Sequence, residues 1–221
     1  MKLESVGILV SLRPFNERDV VAHCFSRDFG IMVGMLRGAA VAKKNKPLIG
    51  QVGQFAWNAR LDSELGAFHW EPERNLVAPI MNDSDKLALV NAMFGLIATL
   101  LPEREPYEKF YDKTYDFLDG LAYSTSSGEK YLDWEISLLS EMGYALDLSH
   151  CSGCGKSENL NYISPKTGRA VCNTCAAPYI SRLYKMPITL DITLKFLEKI
   201  CNDTGTNVPI FRKMLVNKNF S

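Results

Sequence analysis

Residues 6–36 read VGILVSLRPFNERDVVAHCFSRDFGIMVGML and contain three short β-rich runs, VGILVSL, DVVAHCFS and GIMVGML, separated by two turn-like segments. Two more runs of this kind follow, QFAWNARL at 54–61 and GAFHWEPE at 66–73. Short runs of β-branched and aromatic residues bounded by turn formers predict strands. Five such strands at hairpin spacing, with few helical patterns among them, favour a small antiparallel barrel or sandwich.

After residue 80 the spacing of the apolar residues becomes helical. Asp83 or Ser84 suits the N-cap of a first helix and Pro102 ends it, while Gly143 suits the end of a third helix. The segments 37–53 and 150–175 are predicted to be loops. Helices are predicted at 83–101, 106–123, 129–142, 189–201 and 208–216.

The composition is that of an ordinary globular protein. Of 221 residues, 47% are hydrophobic and 23% are charged, which excludes disordered, collagenous and coiled-coil proteins. The longest apolar run, at 87–101, has 15 residues and is shorter than the ~18–20 that span a bilayer. Six cysteines are too few for a small secreted disulfide scaffold, and residues 1–20 lack a signal-peptide pattern. We therefore expect a cytoplasmic protein with reduced thiols and no membrane partner.

The charges are distributed unevenly although they sum to zero. Residues 1–80 contain 10 basic and 8 acidic side chains, residues 81–150 contain 5 and 13, and residues 151–221 contain 10 and 4. An acidic middle therefore lies between two more basic ends. This distribution permits the binding of a polyanion at one surface without requiring it.

Four cysteines have the spacing C-x2-C-x17-C-x2-C, namely Cys151, Cys154, Cys172 and Cys175. Two intervening residues let both thiolates of a pair reach one ion, and soft thiolates suit Zn²⁺. Four thiolates would fill the tetrahedral shell and leave no position for water, so the spacing predicts one structural zinc ion per chain. Redox chemistry of the C-x2-C pairs and ordinary buried or disulfide-bonded cysteines are the alternatives, and His150 is an alternative ligand.

Cations cluster in the loop predicted after the third strand, because residues 37–46 contain four of them and no carboxylate. Arg27 and Arg60 lie in the same predicted barrel, and residues 13–60 together hold 8 basic and 3 acidic side chains. A small barrel with a cationic loop suits single-stranded nucleic acid, because cations track the phosphates. A solubilising surface loop is the alternative. The candidate nucleic-acid-binding residues are Arg13, Arg18, Arg37, Lys43, Lys44 and Lys46.

Aromatic rings in the predicted barrel have two interpretations. An exposed ring would stack on a base of a single strand. At strand spacing, however, most such rings belong to the hydrophobic core. The rings in question are Phe15, Phe55, Trp57 and Trp70.

Motifs of common enzymes are absent from the sequence. It contains no G-x-x-x-x-G-K-[ST] loop, no G-x-G-x-x-G after a strand, no H-E-x-x-H and no G-x-S-x-G elbow. His23 and His69 have the context of structural histidines. Six carboxylates within 103–119 suit a solvated helix face, with a paired acid/base or an acidic docking face as alternatives. The sequence therefore predicts a binding protein rather than an enzyme.

The order of these parts resembles the bacterial recombination mediator family RecO. In the first half, the similar segments are RPFNERD (13–19), FSRDFG (25–30) and RGA (37–39), which leads into the basic loop. In the second half they are LLSEMGY (138–144), CSGCG (151–155), ISPKTG (163–168) and VCNTC (171–175). The resemblance covers about residues 1–180, and it departs at Asn16, where the family more often has glycine before the glutamate.

The resemblance implies an α+β multidomain protein, with an N-terminal OB-fold β-barrel followed by a helical domain that carries a zinc-finger-like insertion with four cysteines. On this basis we expect an OB-fold domain at 1–80, the first part of the helical domain at 81–149 and the insertion at 150–176. The C-terminal helices at 177–221 would complete the helical domain.

The resemblance also implies a role in DNA repair and homologous recombination. Members of the family bind single- and double-stranded DNA, anneal complementary strands, and work with RecR to displace single-strand-binding protein so that RecA can load. They contact the acidic C-terminal tail of single-strand-binding protein through the helical part, and the basic balance of 151–221 makes this region one possible host. A nucleoid-associated cytoplasmic location follows. A zinc-stabilised protein-interaction adaptor without DNA affinity is the alternative.

Overall fold

A computed structural model describes residues 2–59 and 65–218, and its N-terminal part is a five-stranded barrel. The strands hydrogen-bond in the order β1-β2-β3-β5-β4, and β4 pairs again with β1. Neighbours are antiparallel except β3 and β5, which are parallel and join through only two residue pairs. This arrangement confirms the predicted OB-fold barrel. The strands are β1 (Lys2–Pro14), β2 (Val20–Ser26), β3 (Gly30–Leu36), β4 (Gln51–Asn58) and β5 (Gly66–Asn75).

Strand β1 is buried on both faces over its central part. Leu9 belongs to the cluster inside the barrel, whereas Ile8 and Val10 belong to the larger cluster formed with the helices. Successive side chains of a strand point to opposite faces, so one strand serves both cores. The strand begins four residues before its predicted start, where only exposed and half-buried residues, such as Lys2 and Glu4, lie.

The first three helices follow the predicted pattern closely. Asp83 caps the first helix by accepting hydrogen bonds from the backbone N–H groups of Asp85 and Lys86, and these bonds lower the pKa of its carboxyl group. Gly143, at φ +81°, ends the third helix in a Schellman motif, in which Tyr144 N–H donates to Leu139 O. The helices are α1 (Ser84–Leu100), α2 (Glu108–Gly120) and α3 (Ser127–Glu141).

Residues 151–185, which we call the four-cysteine module, contain secondary structure where a loop was predicted. A three-stranded sheet in the order β7-β6-β8 is accompanied by a single helical turn that carries the last cysteine. Strands of two to four residues show no readable hydrophobic period, so the prediction of loop over 150–175 is wrong here. The elements are β6 (Leu160–Ile163), β7 (Ala170–Cys172), α4 (Asn173–Ala176) and β8 (Tyr184–Lys185).

Two helices follow the module, as predicted. They are α5 (Leu190–Asp203) and α6 (Ile210–Met214). Thr189 caps α5, because its side chain accepts a hydrogen bond from Ile192 N–H. Helix α5 adds apolar residues to the cluster that α1 and α3 share, and so do Val208 and Leu215, which flank α6.

The acidic face of α2 packs against the barrel. Asp112 accepts two hydrogen bonds from Arg27, at 2.9 and 3.1 Å, and Asp119 lies 2.8 Å from Arg74. Arg27 also lies 3.7 Å from Glu108. Part of the carboxylate run at 103–119 therefore pairs with barrel cations, so it is not simply a solvated face.

A second contact fixes the barrel to the segment before α2. Arg104 N–H donates to Ile31 O at 3.0 Å, and its guanidinium lies over the Trp57 ring, 4.7 Å from the centroid. Gly30 has φ +66°, and a Cβ there would overlap the Glu105 carbonyl oxygen. This turn therefore requires glycine for both its conformation and its close approach.

The largest hydrophobic cluster contains residues from both sides of residue 80. The division of the chain at residues 80, 149 and 176 accordingly stays a prediction. Within residues 2–59 and 65–218, no helix is both long enough and apolar enough to cross a membrane.

Candidate metal centre and nucleic-acid interface

The four predicted cysteines come together in the four-cysteine module. Their sulfur atoms all lie within 4.8 Å of one another. Cys151 and Cys154 belong to the loop after α3, while Cys172 ends β7 and Cys175 lies in α4. The pairing of β6 with β7 and the turn of α4 thus bring the second pair against the first.

The backbone around the first pair is shaped by two glycines. Gly155 has φ +75°, and its N–H donates to Cys151 O at 2.9 Å, which closes the turn. A Cβ at Gly153 would lie 3.1 Å from the Cys175 sulfur, closer than an ordinary van der Waals contact. Both positions therefore favour glycine, because one needs the left-handed region and the other needs open space.

One sulfur–sulfur distance in the cluster equals the edge expected of a tetrahedral zinc site. With Zn–S bonds of about 2.3 Å, the edges of such a tetrahedron are about 3.8 Å long. Cys154 Sγ and Cys172 Sγ are 3.8 Å apart. All six cysteines carry free thiols. The four residues could therefore hold one metal ion and leave no position open to water.

The electrostatics of the cluster also suit a cation. The backbone N–H groups of Cys172 and Gly153 donate to Cys151 Sγ at 3.3 and 3.4 Å. The Cys172 N–H bond is the main reason why the pKa of Cys151 falls to about 6. The pKa of Cys175 rises to about 12, chiefly through its side-chain hydrogen bond with Cys172. Four thiolates in contact repel one another, so full ionisation of the cluster requires a bound cation.

The remaining candidate ligands lie elsewhere. His150 is exposed, and its Nδ1 is 2.9 Å from Ser149 Oγ rather than at the sulfur cluster. Cys24 and Cys201 are buried in the hydrophobic clusters. Burial raises the pKa of the Cys24 thiol, which keeps it protonated and unreactive.

The barrel cations occupy two segments that touch. Gly38 N–H donates to Asp19 Oδ1 at 2.8 Å, and Ala40 N–H donates to Arg18 O at 3.0 Å. The loop after β3 is thereby fixed to the turn between β1 and β2. The Gly38 bond is the main cause of the lowered pKa of Asp19, to which nearby Arg37 and Arg18 contribute.

All six predicted cations are exposed, and within residues 2–59 and 65–218 none forms an ion pair within 4 Å. Arg27 differs, because it pairs with α2 as described above. Arg60 lies outside the described residues. The structure therefore presents exposed cations at the end of β1, on the β1–β2 turn and on the β3–β4 loop, namely Arg13, Arg18, Arg37, Lys43, Lys44 and Lys46.

The comparisons with known proteins are consistent with this combination of barrel, helices and cysteine cluster. A family model described as "Recombination protein O C terminal" matches residues 81–207, which include all four cysteines. A DNA repair protein RecO from Dinoroseobacter shibae is 39% identical over 183 residues, covering 82% of this chain and 76% of that protein. The chain belongs to the RecO family.

Other RecO family relatives show similar coverage. A DNA repair protein RecO from Ruegeria sp. is 37% identical over 183 residues, or 82% of this chain and 76% of that protein. The protein of the same name from Rhizobium rhizogenes is 33% identical over 189 residues, or 85% of this chain and 72% of that protein. The similarity therefore extends over most of both chains.

The four aromatic rings of the barrel divide into two kinds. Phe55 and Trp57 are buried, and Trp57 Nε1–H donates to Val33 O at 2.9 Å, so both belong to the core. Phe15 is 59% exposed in the β1–β2 turn. Trp70 is half-buried and lines a small cleft of about 180 Å³ with Arg37. Of the four, only Phe15 and Trp70 are accessible to a base.

Sequence reasoning did not single out the cations of the four-cysteine module. Lys166, Arg169 and Arg182 line one cleft beside the sulfur cluster, together with the Tyr179 ring. The excess of basic residues in 151–221 was the available signal. That signal could not place them, because the strands and the turn that bring them together are too short to predict.

Proposed function

We propose that this RecO family protein binds DNA through the cationic surface of its barrel. The observation that carries the proposal is the contact between the β1–β2 turn and the β3–β4 loop, which gathers Arg18 and Arg37 around Asp19. Three lysines continue this surface along the loop without any carboxylate partner within the part of the chain that is described. Counterion release from phosphates would supply most of the affinity.

The chemistry of these side chains favours binding without sequence preference. Lysine is a flexible point charge, which suits a phosphate better than the paired acceptors on a base edge. The exposed ring of Phe15 lies between Arg13 and Arg18 in sequence, where it could stack on any unpaired base. Single strands would use both contacts, whereas duplex DNA would use the cations alone.

We infer further that the protein acts as a mediator of recombination and DNA repair. By neutralising phosphates it would hold complementary strands close enough to anneal, and this step would need no ATP because the sequence has no phosphate-binding glycine loop. With RecR, it would displace single-strand-binding protein, whose acidic tail it would contact, so that RecA can load. These roles rest on the family to which the chain belongs.

We also propose that Cys151, Cys154, Cys172 and Cys175 hold one Zn²⁺ with a structural role. The sulfur positions support this proposal, because all four atoms lie within 4.8 Å of one another and the Cys154–Cys172 distance matches the edge of a four-thiolate tetrahedron. Such an ion would supply folding energy to the four-cysteine module and no reaction chemistry.

The test of the DNA interface is a salt titration of Lys43→Ala/Lys44→Ala/Lys46→Ala. Each phosphate contact on a single strand contributes about 0.7 to the slope of log K against log salt, so the slope should fall by roughly 2. Affinity for mixed-sequence single strands at moderate salt should fall about tenfold or more. Thermal stability should hardly change, because exposed lysines contribute little to it.

A matched control removes three exposed lysines from other surfaces, as Lys109→Ala/Lys130→Ala/Lys185→Ala. This variant has the same net charge as the loop variant and should keep the original slope. If the two variants lose affinity equally, only net charge matters and the loop is a solubilising surface.

A zinc-stabilised adaptor without DNA affinity is the second candidate function. It is favoured by exposed apolar side chains on α6, where Ile210 is 64% exposed and Met214 is 55% exposed. A gel shift at low salt separates the two candidates, because an adaptor would leave a single-stranded oligonucleotide unshifted.

A further inference from the structure

A cleft of about 640 Å³ opens beside the sulfur cluster, on a side of the molecule formed by the four-cysteine module itself. Its walls come from the first cysteine turn, from the β6–β7 connection at 164–169, and from a 3₁₀ helix, Ala177–Arg182, that follows α4. Gly153 and Cys175 contribute to it directly. Metal binding at the four cysteines would therefore hold two of these walls in place.

The lining combines an apolar floor with a cationic rim. Pro165, Val171 and Leu183 supply apolar surface, and no carboxylate is among the lining residues. Of the three cations, Arg169 lies 3.5 Å from Asp147. Lys166 and Arg182 have no ion-pair partner in the described parts of the chain. Two positive charges are thus free to meet an anion at the mouth of an apolar slot.

Tyr179 and Arg182 are placed to act together. They are three residues apart in the 3₁₀ helix, and side chains at i and i+3 of such a helix lie one above the other. Both line the cleft, and the Tyr179 side chain is 56% exposed. An accessible ring and a planar cation without an anionic partner among the described residues therefore line the same cleft, three residues apart on one helix.

We propose that this cleft is a second binding site for single-stranded DNA. A single strand carries flat, largely apolar bases and charged phosphates. The apolar slot and the Tyr179 ring suit the bases, and the cations suit the phosphates. The serine and threonine hydroxyls of the lining can donate to phosphate oxygens as well. An acidic peptide would use the cations but would leave the exposed ring face without a stacking partner.

The site extends the proposed function, because it would let one molecule hold two strands. The barrel surface lies at 13–46 and the cleft at 152–183, and each region has a small hydrophobic cluster of its own. The large cluster joins the two regions, since it includes Ile8 of β1 and Ile163 of β6. Two separate sites on one protein would raise the local concentration of complementary strands and favour annealing.

The experiment compares Tyr179→Ala/Arg182→Ala with the original protein, both full length and loaded with zinc. Affinity is measured by fluorescence anisotropy with an oligonucleotide of about 12 thymidines, which is short enough to occupy one small binding site. The measurement is made in the Lys43→Ala/Lys44→Ala/Lys46→Ala background. There the cleft variant should lose about a further tenfold in affinity. When Lys43, Lys44 and Lys46 are retained, the cleft substitutions should lower the annealing rate by a larger factor than they lower the affinity for a single strand. Tyr179→Phe should retain both activities.

A control variant, Lys156→Ala/Lys185→Ala, removes two exposed charges from the same module outside the cleft and should leave binding and annealing unchanged. One zinc per chain in every variant shows that the module is folded. Unchanged oligonucleotide affinity in the cleft variant overturns the proposal and leaves the barrel interface standing. Conversely, loss of affinity in the cleft variant alone, with the lysine variant unaffected, supports the cleft and refutes the barrel interface.

A peptide arm separates the two classes of ligand. A short synthetic peptide of aspartates, which offers charge without a ring, is titrated against the same variants. One outcome is that the peptide binds the original protein and fails to bind Tyr179→Ala/Arg182→Ala, while oligonucleotide affinity is the same in both. In that case the cleft is a peptide site and the DNA proposal is overturned.

Discussion

The barrel cluster contains ten buried apolar residues, whereas the cluster of the four-cysteine module contains four, of which two are the thiol-bearing Cys151 and Cys172. The barrel also has long ladders, with seven paired residues between β1 and β2, while β6 pairs with β8 through two. A region of fewer than about 40 residues rarely buries enough surface to fold alone. The barrel is therefore specified by its hydrophobic pattern, and we expect the module to depend on a metal ion bound by its cysteines.

Removing one metal ligand should have the largest effect on this comparison. Cys154→Ser leaves three thiolates, and structural zinc contributes on the order of 10–16 kcal/mol of apparent binding free energy in finger peptides. We expect the module to unfold locally while the barrel stays folded. Hydrogen exchange should show amides of 151–185 losing protection while those of β1–β5 keep theirs, and elemental analysis should show zinc lost.

Chelation of the original protein should reproduce this pattern, and so should acidification, because protonated thiols cannot bind zinc. Ser157→Ala, which removes a hydroxyl from an exposed residue of the same module, serves as the control and should retain one zinc per chain. Protein purified without chelator that contains no zinc would contradict the metal assignment.

The helical core between the two regions depends on a buried ion pair. Arg212 and Glu135 are both fully buried, and Arg212 Nη2 lies 2.6 Å from Glu135 Oε1. Arg212 also donates to Leu190 O and Thr193 Oγ1, so α6 is held to α3 and α5. Burial lowers the pKa of the Arg212 guanidinium, but the facing Glu135 carboxylate raises it by more. The net pKa is raised, so Arg212 stays charged.

Arg212→Met should therefore destabilise the protein by about 3–5 kcal/mol, because Glu135 is left as an unpaired buried charge. Glu135→Leu/Arg212→Met removes both charges and should recover much of the loss. Urea denaturation measures both variants. A single variant as stable as the original protein would show that water solvates Glu135 in the folded state.

A substitution that creates a cavity in the barrel should destabilise the barrel and leave the four-cysteine module folded, the opposite of the cysteine variant. Trp57→Ala removes a fully buried indole, its hydrogen bond to Val33 O and its contact with Arg104. A loss of about 3–5 kcal/mol is expected, with increased hydrogen exchange in β3–β5. Zinc content should remain at one per chain, since Trp57 belongs to the barrel cluster and not to that of the module. Trp57→Phe should cost less, and zinc loss in either variant would show that the two regions unfold together.

The barrel and the first helices could be predicted from the sequence more completely than the four-cysteine module. The barrel strands and the first three helices have apolar periods and recognisable ends, such as Asp83 before α1 and Gly143 after α3, and their predicted bounds differ from the structure by a few residues. The four cysteines were predicted from spacing alone, because two-residue gaps have few uses other than metal binding.

The remaining features depend on contacts between distant residues. Arg212 lies between Phe211 and Lys213 in a short helix, and nothing in that context distinguishes it from an ordinary surface cation. The sequence places Arg27 only among the basic residues of the predicted barrel, whereas the structure pairs it with Asp112, 85 residues away. The cleft at Tyr179 forms only when the first cysteine turn, the β6–β7 connection and the 3₁₀ helix come together. No local pattern reports such pairings.

The smallest effect is expected at Asn16, in the turn between β1 and β2. Its Oδ1 accepts hydrogen bonds from the N–H groups of Arg18 and Asp19, at 2.8 and 2.7 Å, and its Nδ2 donates to Asp19 Oδ2. Because these bonds are exposed and the barrel register is fixed by the strand ladders, Asn16→Gly should cost only about 1 kcal/mol or less. The urea midpoint should shift slightly, while Glu17→Gln, one residue along, should leave it unchanged.

The same substitution should also change how Asp19 titrates. The Gly38 N–H and the Asn16 amide lower the pKa of Asp19 in the folded protein, so its contribution to stability is present above the ordinary carboxyl pKa and is lost as pH falls through the lowered value. Without the Asn16 amide, the pKa of Asp19 should rise toward its ordinary value, which an NMR titration of this carboxyl group would show. The turn would still present Arg18, so the salt slope of DNA binding should not change. A changed slope would mean that the Asn16 turn positions this cation, and that the barrel interface is more precisely built than the proposal requires.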